Sequence, residues 1–404
     1  MRRLLYIAGI NFLGILLVLA VAEGVARLIE PKQAESIVPF PVRDPELAWV
    51  PRPNAQTHGV SSEFTIDTVT NDLGLYDFPP PDNADGHLVS ILALGDSHTA
   101  ATGVSTGDTW PKVLQRDLDK DGLPNWTYNG GVHGYSLDQY LVRFRKLAPI
   151  VKPRIVIIGF SMATDFYDLG ITPQGNFVYG GDIGRIYFSL DDKGNLVEHH
   201  DLVGKTLPTM GGIDPALTTF SLRGLRGWLS HLALYRMVKR SSFTMWVAMH
   251  LRTNNESLWP GLDTGLKIDL TGDDRRRVDL AGTLIGKIAN EARQIGAIPV
   301  LVHIPYLAQV YDSVWESSFG SVPGYDRDLP GKRLGALAEQ YGMLYADVDP
   351  VMRNYVKTHN GAWVHFPIDS HPNAIGQRLI AETVLAVLER CRKQNPDLKP
   401  GICH

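Results

Sequence analysis

The chain has 404 residues, 44% hydrophobic and 20% charged, the composition of a globular protein with a sizeable core. This excludes a mostly disordered chain, a collagen-like repeat and a polytopic membrane protein. Its 39 Lys and Arg against 43 Asp and Glu give a net charge of −4, with no basic excess to make nucleic acid a partner. Two cysteines exclude a disulfide scaffold and a Cys-based zinc site, and the 13 histidines show no HExxH or comparable spacing, so neither metal nor cofactor is expected.

Arg2 and Arg3 precede an apolar run from Leu4 to Ala22, broken by one strongly polar side chain, Asn11. At about 1.5 Å per residue the run is just long enough to cross a bilayer core. The basic pair before it and Glu23 after it predict a cytoplasmic N-terminus, with everything downstream on the periplasmic or extracellular side. Ala20-Val21-Ala22 also fits a cleavage site, so residues 1–30 read as a membrane anchor or a signal peptide. The i,i+4 pair Glu23 and Arg27, and an apolar stripe of Val25, Leu28 and Ile29 ending at Pro31, favour an uncleaved anchor.

Residues 31–87, rich in Pro, Asp and Asn with short extended pieces such as Ser62–Val69, read as an extension or linker. The main domain then runs over 88–404. Val89–Leu94 is a continuous apolar run ending in Gly95, the pattern of a strand buried on both faces of a parallel sheet. A helix is predicted around Trp110–Leu118, then a strand ending near Asn129 and a second buried strand over Ile155–Gly159. Further on come a helix over Arg275–Ile295, a strand over Pro299–Ile304, a helix over Leu329–Tyr341 and a strand over Met343–Val348. The closing helix spans Asn373–Arg392, with Asn373 as N-cap. This alternation predicts a doubly wound, flavodoxin-like α/β parallel sheet with helices on both faces. Residues 166–273 break the rhythm and read as an insertion: a hairpin-like part over Tyr179–Asn195, then a helical part over Leu222–Leu251 bearing Arg223, Arg226, Arg236 and Lys239. Cys391 and Cys403 either close a small C-terminal loop or stay unpaired.

The most informative stretch is Leu94-Gly95-Asp96-Ser97-His98-Thr99. A serine just past a buried strand can turn its hydroxyl into the substrate crevice while its N–H helps bind an oxyanion. Such a nucleophile needs a base, and the base an orienting carboxylate. Both stand in Asp369-Ser370-His371-Pro372-Asn373, where residues two apart on an extended backbone share a side. Read singly, each stretch also fits a plain turn or a polar capping loop.

Together these stretches resemble the SGNH (GDSL-type) hydrolase superfamily, in a membrane-anchored form. Gly95-Asp96-Ser97 is similar to its first block, which implies Ser97 as nucleophile. Asn129–Ser136 resembles the second, with Gly134 in the place of the oxyanion-hole glycine. Gly159–Asp165 matches the third, with Thr164 where the family has asparagine, and the last block matches with Asp369 and His371 one residue closer than usual. The likeness extends to Asp44–Leu47, Asn71–Leu75, Thr99–Val104 and Trp110-Pro111, so it covers roughly 44–165 and 275–390. It implies a catalytic triad of Ser97, His371 and Asp369, with an oxyanion hole made by Ser97, Gly134 and the Thr164 hydroxyl.

The expected activity is an exported, membrane-anchored serine esterase working through an acyl-enzyme, with O-acyl (acetyl) groups of an envelope glycan as the substrate class that the resemblance implies. Two rivals use the same sequence. One is an O-acyltransferase fed by a separate acyl-supplying membrane protein, and the other a catalytically silent glycan-binding or assembly protein. His98, His133 and His365 read either as crevice residues binding substrate oxygens or as solvent-facing loop histidines. Trp315 and Trp363 read as sugar-stacking or packing residues.

Overall fold

The computed structural model describes residues 2–29, 41–61, 63–82, 86–162, 164–170, 184–205, 232, 263–367 and 369–394. The chain divides into two compact units, Met1–Glu35 with Met210–Asn255, and Ser36–Thr209 with Glu256–His404. In the first, helix α1 spans Arg2–Ile29, with the Glu23–Arg27 pair closed at 2.7 Å. Among the described residues no helix is long and apolar enough to cross a membrane, so the span expected over Leu4–Ala22 is not found there.

The second unit opens with two small antiparallel hairpins, β1 (Val42–Asp44) with β2 (Ala48–Val50) and β3 (Gln56–Val60) with β4 (Thr65–Val69). Next come β5 (Val89–Gly95), the short helix α2 (Ser97–Ala100), α3 (Trp110–Lys120) and β6 (Asn125–Asn129). Then follow α4 (Leu137–Val151), β7 (Ile155–Ser161), α5 (Asp165–Gly170) and the hairpin β8 (Tyr187–Leu190) with β9 (Leu196–His199). After α6 (Gly272–Gln294) come β10 (Ile298–Ile304), α7 (Leu307–Val310), α8 (Asp312–Ser318), α9 (Leu329–Gln340), β11 (Leu344–Asp347), α10 (Asp349–Thr358) and α11 (Ala374–Gln394).

The central sheet is fully parallel, in the order β11-β10-β7-β5-β6. Counted along the chain this is 2-1-3-4-5, the doubly wound flavodoxin-like order expected from the sequence. Alternate side chains of β5 enter different cores: Leu92 and Leu94 pack with α4, α6 and α9, while Ile91 and Ala93 pack with α3 and α11. That two-sided burial is why the strand reads as an unbroken apolar run. Strand order reverses between β5 and β7, and the crevice beyond their carboxyl ends is where such sheets bind ligands. Gly95 and Gly159 pair there, and a Cβ on either would fall within 2.4 Å of Thr99 Oγ1. Only glycine leaves room for Thr99, and so for the turn that carries Ser97.

Two readings need refinement. The stretch read as a linker packs into the domain, with Leu47, Trp49 and Leu75 joining the core of Leu92 and Leu94. A buried ion pair, Asp77 with Lys112 at 2.6 Å, fastens it to α3. A hairpin does lie in the insertion, as β8–β9 over 187–199 rather than the expected 179–195, with Arg185 Nη1 3.5 Å from Asp138 at its start. The helical part over Leu222–Leu251 and its basic residues lie outside the described residues. Cys391 is disulfide-bonded, and the other cysteine, Cys403, also lies outside them.

Candidate active site

Ser97 opens α2 directly after β5 and Asp96. Asp96 caps that helix, its Oδ1 accepting from the His98 N–H at 2.8 Å. As the first residue of a helix, Ser97 has a backbone N–H with no intrahelical acceptor, free for an anion at the crevice. The loop ahead of α11 delivers the partner groups. Asn373 accepts from the N–H groups of Ile375 and Gly376 at 2.9 and 3.1 Å, as expected of an N-cap, and fixes where the preceding residues emerge. Phe366 N–H donates to the His371 carbonyl at 2.8 Å, and Ser370 turns through φ +71°, which brings Asp369 and His371 onto one side.

Three residues separated by up to 274 positions meet here. His371 Nε2 lies 2.7 Å from Ser97 Oγ, and its Nδ1 lies 2.5 Å from Asp369 Oδ1. Burial would push the His371 pKa down, but the Asp369 carboxylate, with Asp96 behind it, outweighs this and holds it above its ordinary value. Burial likewise opposes the charge on Asp369, yet the His371 contact holds its pKa low. The arrangement is an imidazole able to take the Ser97 proton at Nε2 while a charged carboxylate stabilises the cation formed.

Gly134 sits in the loop after β6 at φ +74°, a conformation suited to glycine. The loop rides on the Ser97 turn. Val132 N–H donates to the Gly95 carbonyl at 3.0 Å, and a Cβ on Gly131 would lie 2.3 Å from the Ala100 nitrogen.

Thr164 differs from expectation. Its hydroxyl lies 2.5 Å from Asp96 Oδ2 and 3.1 Å from Ser161 Oγ. Asp96 is fully buried. Burial opposes its charge, but the contacts with His98 and Thr164 bring its pKa to about 2. The single hydroxyl proton therefore goes to the carboxylate, the stronger acceptor, and none remains for an oxyanion. Thr164→Val should accordingly slow turnover less than about tenfold while lowering stability by about 1.5–3 kcal/mol, the usual worth of a hydrogen bond to a charged group. Thermal melts and steady-state rates measure both, and a hundredfold rate loss at unchanged stability would return Thr164 to the oxyanion hole.

Sequence reasoning missed three features. His98 is buried, with its Nδ1 3.0 Å from Asp96 and 3.1 Å from Ser161 Oγ and its ring 4.6 Å from that of His371. Asp165 holds the end of β7 through Ser161 N–H at 2.7 Å and Tyr140 at 2.8 Å. Glu63, from the supposed linker, accepts from the Asp369 N–H at 2.8 Å. His133 and His365 are buried rather than solvent-facing, and burial first of all brings the pKa of each to about 3. Trp363 packs on Tyr311 and Trp315 on Phe319, at 4.5 and 5.0 Å between ring centres, so both serve packing. Among the described residues no cluster could hold a metal ion.

No protein-family model and no curated protein matches the chain. Similar solved structures include TesA, at 16% identity and a TM-score of 0.36 over 74% of this chain and 98% of that one. The esterase EstA from a Pseudoalteromonas species matches at 14% identity and a TM-score of 0.34, over 74% and 97%. The acetyl xylan esterase AlAXEase matches at 12% identity and a TM-score of 0.39, over 74% and 100%. In its sheet order, its blocks and the groups gathered at Ser97, the chain resembles the SGNH (GDSL-type) hydrolases.

Proposed function

We propose that the protein is an SGNH-type serine ester hydrolase acting through an acyl-enzyme. The observation that carries this reading is the continuous line from Ser97 Oγ to His371 Nε2 at 2.7 Å and from Nδ1 to Asp369 at 2.5 Å. Ser97 Oγ attacks the ester carbonyl as its proton passes to Nε2. The Ser97 and Gly134 N–H groups stabilise the oxyanion, and the imidazolium protonates the departing alkoxide. Water, deprotonated by His371, then releases the acid and restores Ser97. The substrate class is an O-acyl, above all O-acetyl, ester of an envelope glycan. Transfer of the acyl group to a sugar hydroxyl would use the same residues with another acceptor in place of water.

Incubation with p-nitrophenyl acetate tests this, with Ser97→Ala as control. Serine-dependent release of nitrophenol is the expected result. Equal rates for both proteins would favour a silent binding protein, and acceleration by added oligosaccharide would favour transfer.

We propose further, from the sequence, that residues 1–30 anchor this domain on the outer side of the cytoplasmic membrane. The support is the sequence Arg2–Ile29 together with the exposure of Ile15, Leu17, Val18, Leu19, Val21, Val25 and Leu28. The protein should stay with membranes after a high-salt wash and begin at or near Met1. N-terminal sequencing that starts at Glu23 would overturn the anchor.

A further inference from the structure

We propose that His133 is a substrate-binding residue of this site, donating its Nε2–H to an oxygen of the bound ester and so supplying the donor that Thr164 does not. The inference rests on the esterase reading above and adds to it. His133 precedes Gly134 in the loop that rides on the Ser97 turn, and its side chain is buried. It lines a cavity together with Ile66, Tyr76, Ala100, Ala101 and Thr102, the last three belonging to the turn that follows Ser97. Its Nε2 is buried without a hydrogen-bond partner among the described residues.

An orphaned buried polar atom of this kind is costly unless something completes it, and in this proposal its partner is an oxygen of the bound ester. The ring is neutral, because burial first and the neighbouring His371 second disfavour its cation, and this keeps one nitrogen as donor and the other as acceptor. Nδ1 stands 3.1 Å from the Tyr76 hydroxyl, whose ring meets the imidazole edge-on at 5.1 Å. A phenol hydroxyl can give or take a proton here, and in this proposal Tyr76 donates to Nδ1. The proton of His133 is then on Nε2, the orphaned atom. His133 follows Val132, whose N–H donates to the Gly95 carbonyl at 3.0 Å, two residues before Ser97. The ligand chemistry is a carbonyl or ester oxygen of a small acyl group.

The test compares His133→Phe and His133→Gln with the full-length wild type, using p-nitrophenyl acetate turnover and the rate at which a fluorophosphonate probe labels Ser97. Losing a donor to the developing oxyanion costs about a hundred- to a thousandfold in rate. His133→Phe should therefore lose at least tenfold, in kcat rather than KM, with labelling slowed in step. His133→Gln, which keeps an N–H donor, should recover most of the loss. The wild type gives a second measurement that needs no variant to fold. Nitrogen-15 spectra of labelled histidine should show one neutral imidazole at pH 7 with its proton on Nε2, shifting when Ser97 is labelled. A His133→Phe protein as fast as wild type, or an unprotonated Nε2, would overturn the inference. A wild type that neither turns over nor takes the probe would instead overturn the esterase reading beneath it.

Discussion

Replacing His371 by alanine should reduce kcat by about a millionfold, to the level of Ser97→Ala, because nucleophile and base act as one unit and losing either removes the same step. The geometry sets this expectation. His371 Nε2 is the ring nitrogen at Ser97 Oγ, at 2.7 Å, and without it the hydroxyl keeps its proton. Labelling of Ser97 by a fluorophosphonate should vanish with it. His365→Ala should leave labelling intact, since His365 is buried against the Tyr311 hydroxyl at 3.3 Å and approaches neither Ser97 nor Asp369 in any hydrogen bond described here. Labelling kept without His371 and lost without His365 would reverse the assignment. The pH profile adds a sign. Only neutral imidazole accepts the proton, and the folded protein holds the His371 pKa above 6.5. Activity should therefore fall as pH drops through a midpoint above 6.5, and a midpoint near 5 would mean that the carboxylates do not support the cation.

Much of this site is legible in the sequence because its parts sit at element boundaries. The apolar run Val89–Leu94 marks a strand buried on both faces, and the residue just beyond such a strand faces the crevice whatever surrounds it. Asp369 and His371 share a side because they stand two apart, and Asn373 announces the helix behind them. The rest depends on contacts with no local signature. Glu63 reaches Asp369 across 306 positions, and although Ser62–Val69 reads as extended, nothing in it marks the residue that Glu63 meets. Helix α10 does carry a signature that the alternation of longer elements overshadows: Val351, Met352, Tyr355 and Val356 recur at helical spacing after Pro350 and pack on the core. Thr164 reads as an oxyanion donor only while Asp96 is taken as a spacer before the nucleophile. In the fold Asp96 is a buried anion that gathers the Thr164 hydroxyl, the His98 ring and the His98 N–H. The burial of His98 and His133 likewise follows from how the loops after β5 and β6 close on each other, which no spacing records.

Two carboxylates lie close to His371, and the last expected result separates them. Asp369→Asn should lower kcat by about ten-thousandfold with little change in folding, the size of effect known for the orienting carboxylate of serine hydrolase triads. Asp369 Oδ1 accepts from Nδ1–H at 2.5 Å, which leaves Nε2 unprotonated and pointed at Ser97. An asparagine amide can turn its NH₂ toward Nδ1 and so stabilise the opposite tautomer, in which Nε2 carries the proton and cannot act as base. The residual activity should show a second mark. Burial pushes the His371 pKa down and Asp369 is the main influence opposing it, so the acid limb should move to lower pH in the variant. Asp96→Asn removes a more distant charge, one that touches His98 and Thr164 rather than His371 in the hydrogen bonds described. It should shift the limb in the same direction by less and keep kcat within about a hundredfold of wild type, since the Nδ1–H acceptor remains in place. Measuring kcat against pH for both variants decides the matter: a ten-thousandfold loss in Asp96→Asn beside a nearly wild-type Asp369→Asn would transfer the orienting role to Asp96 and leave Asp369 as a support of the loop.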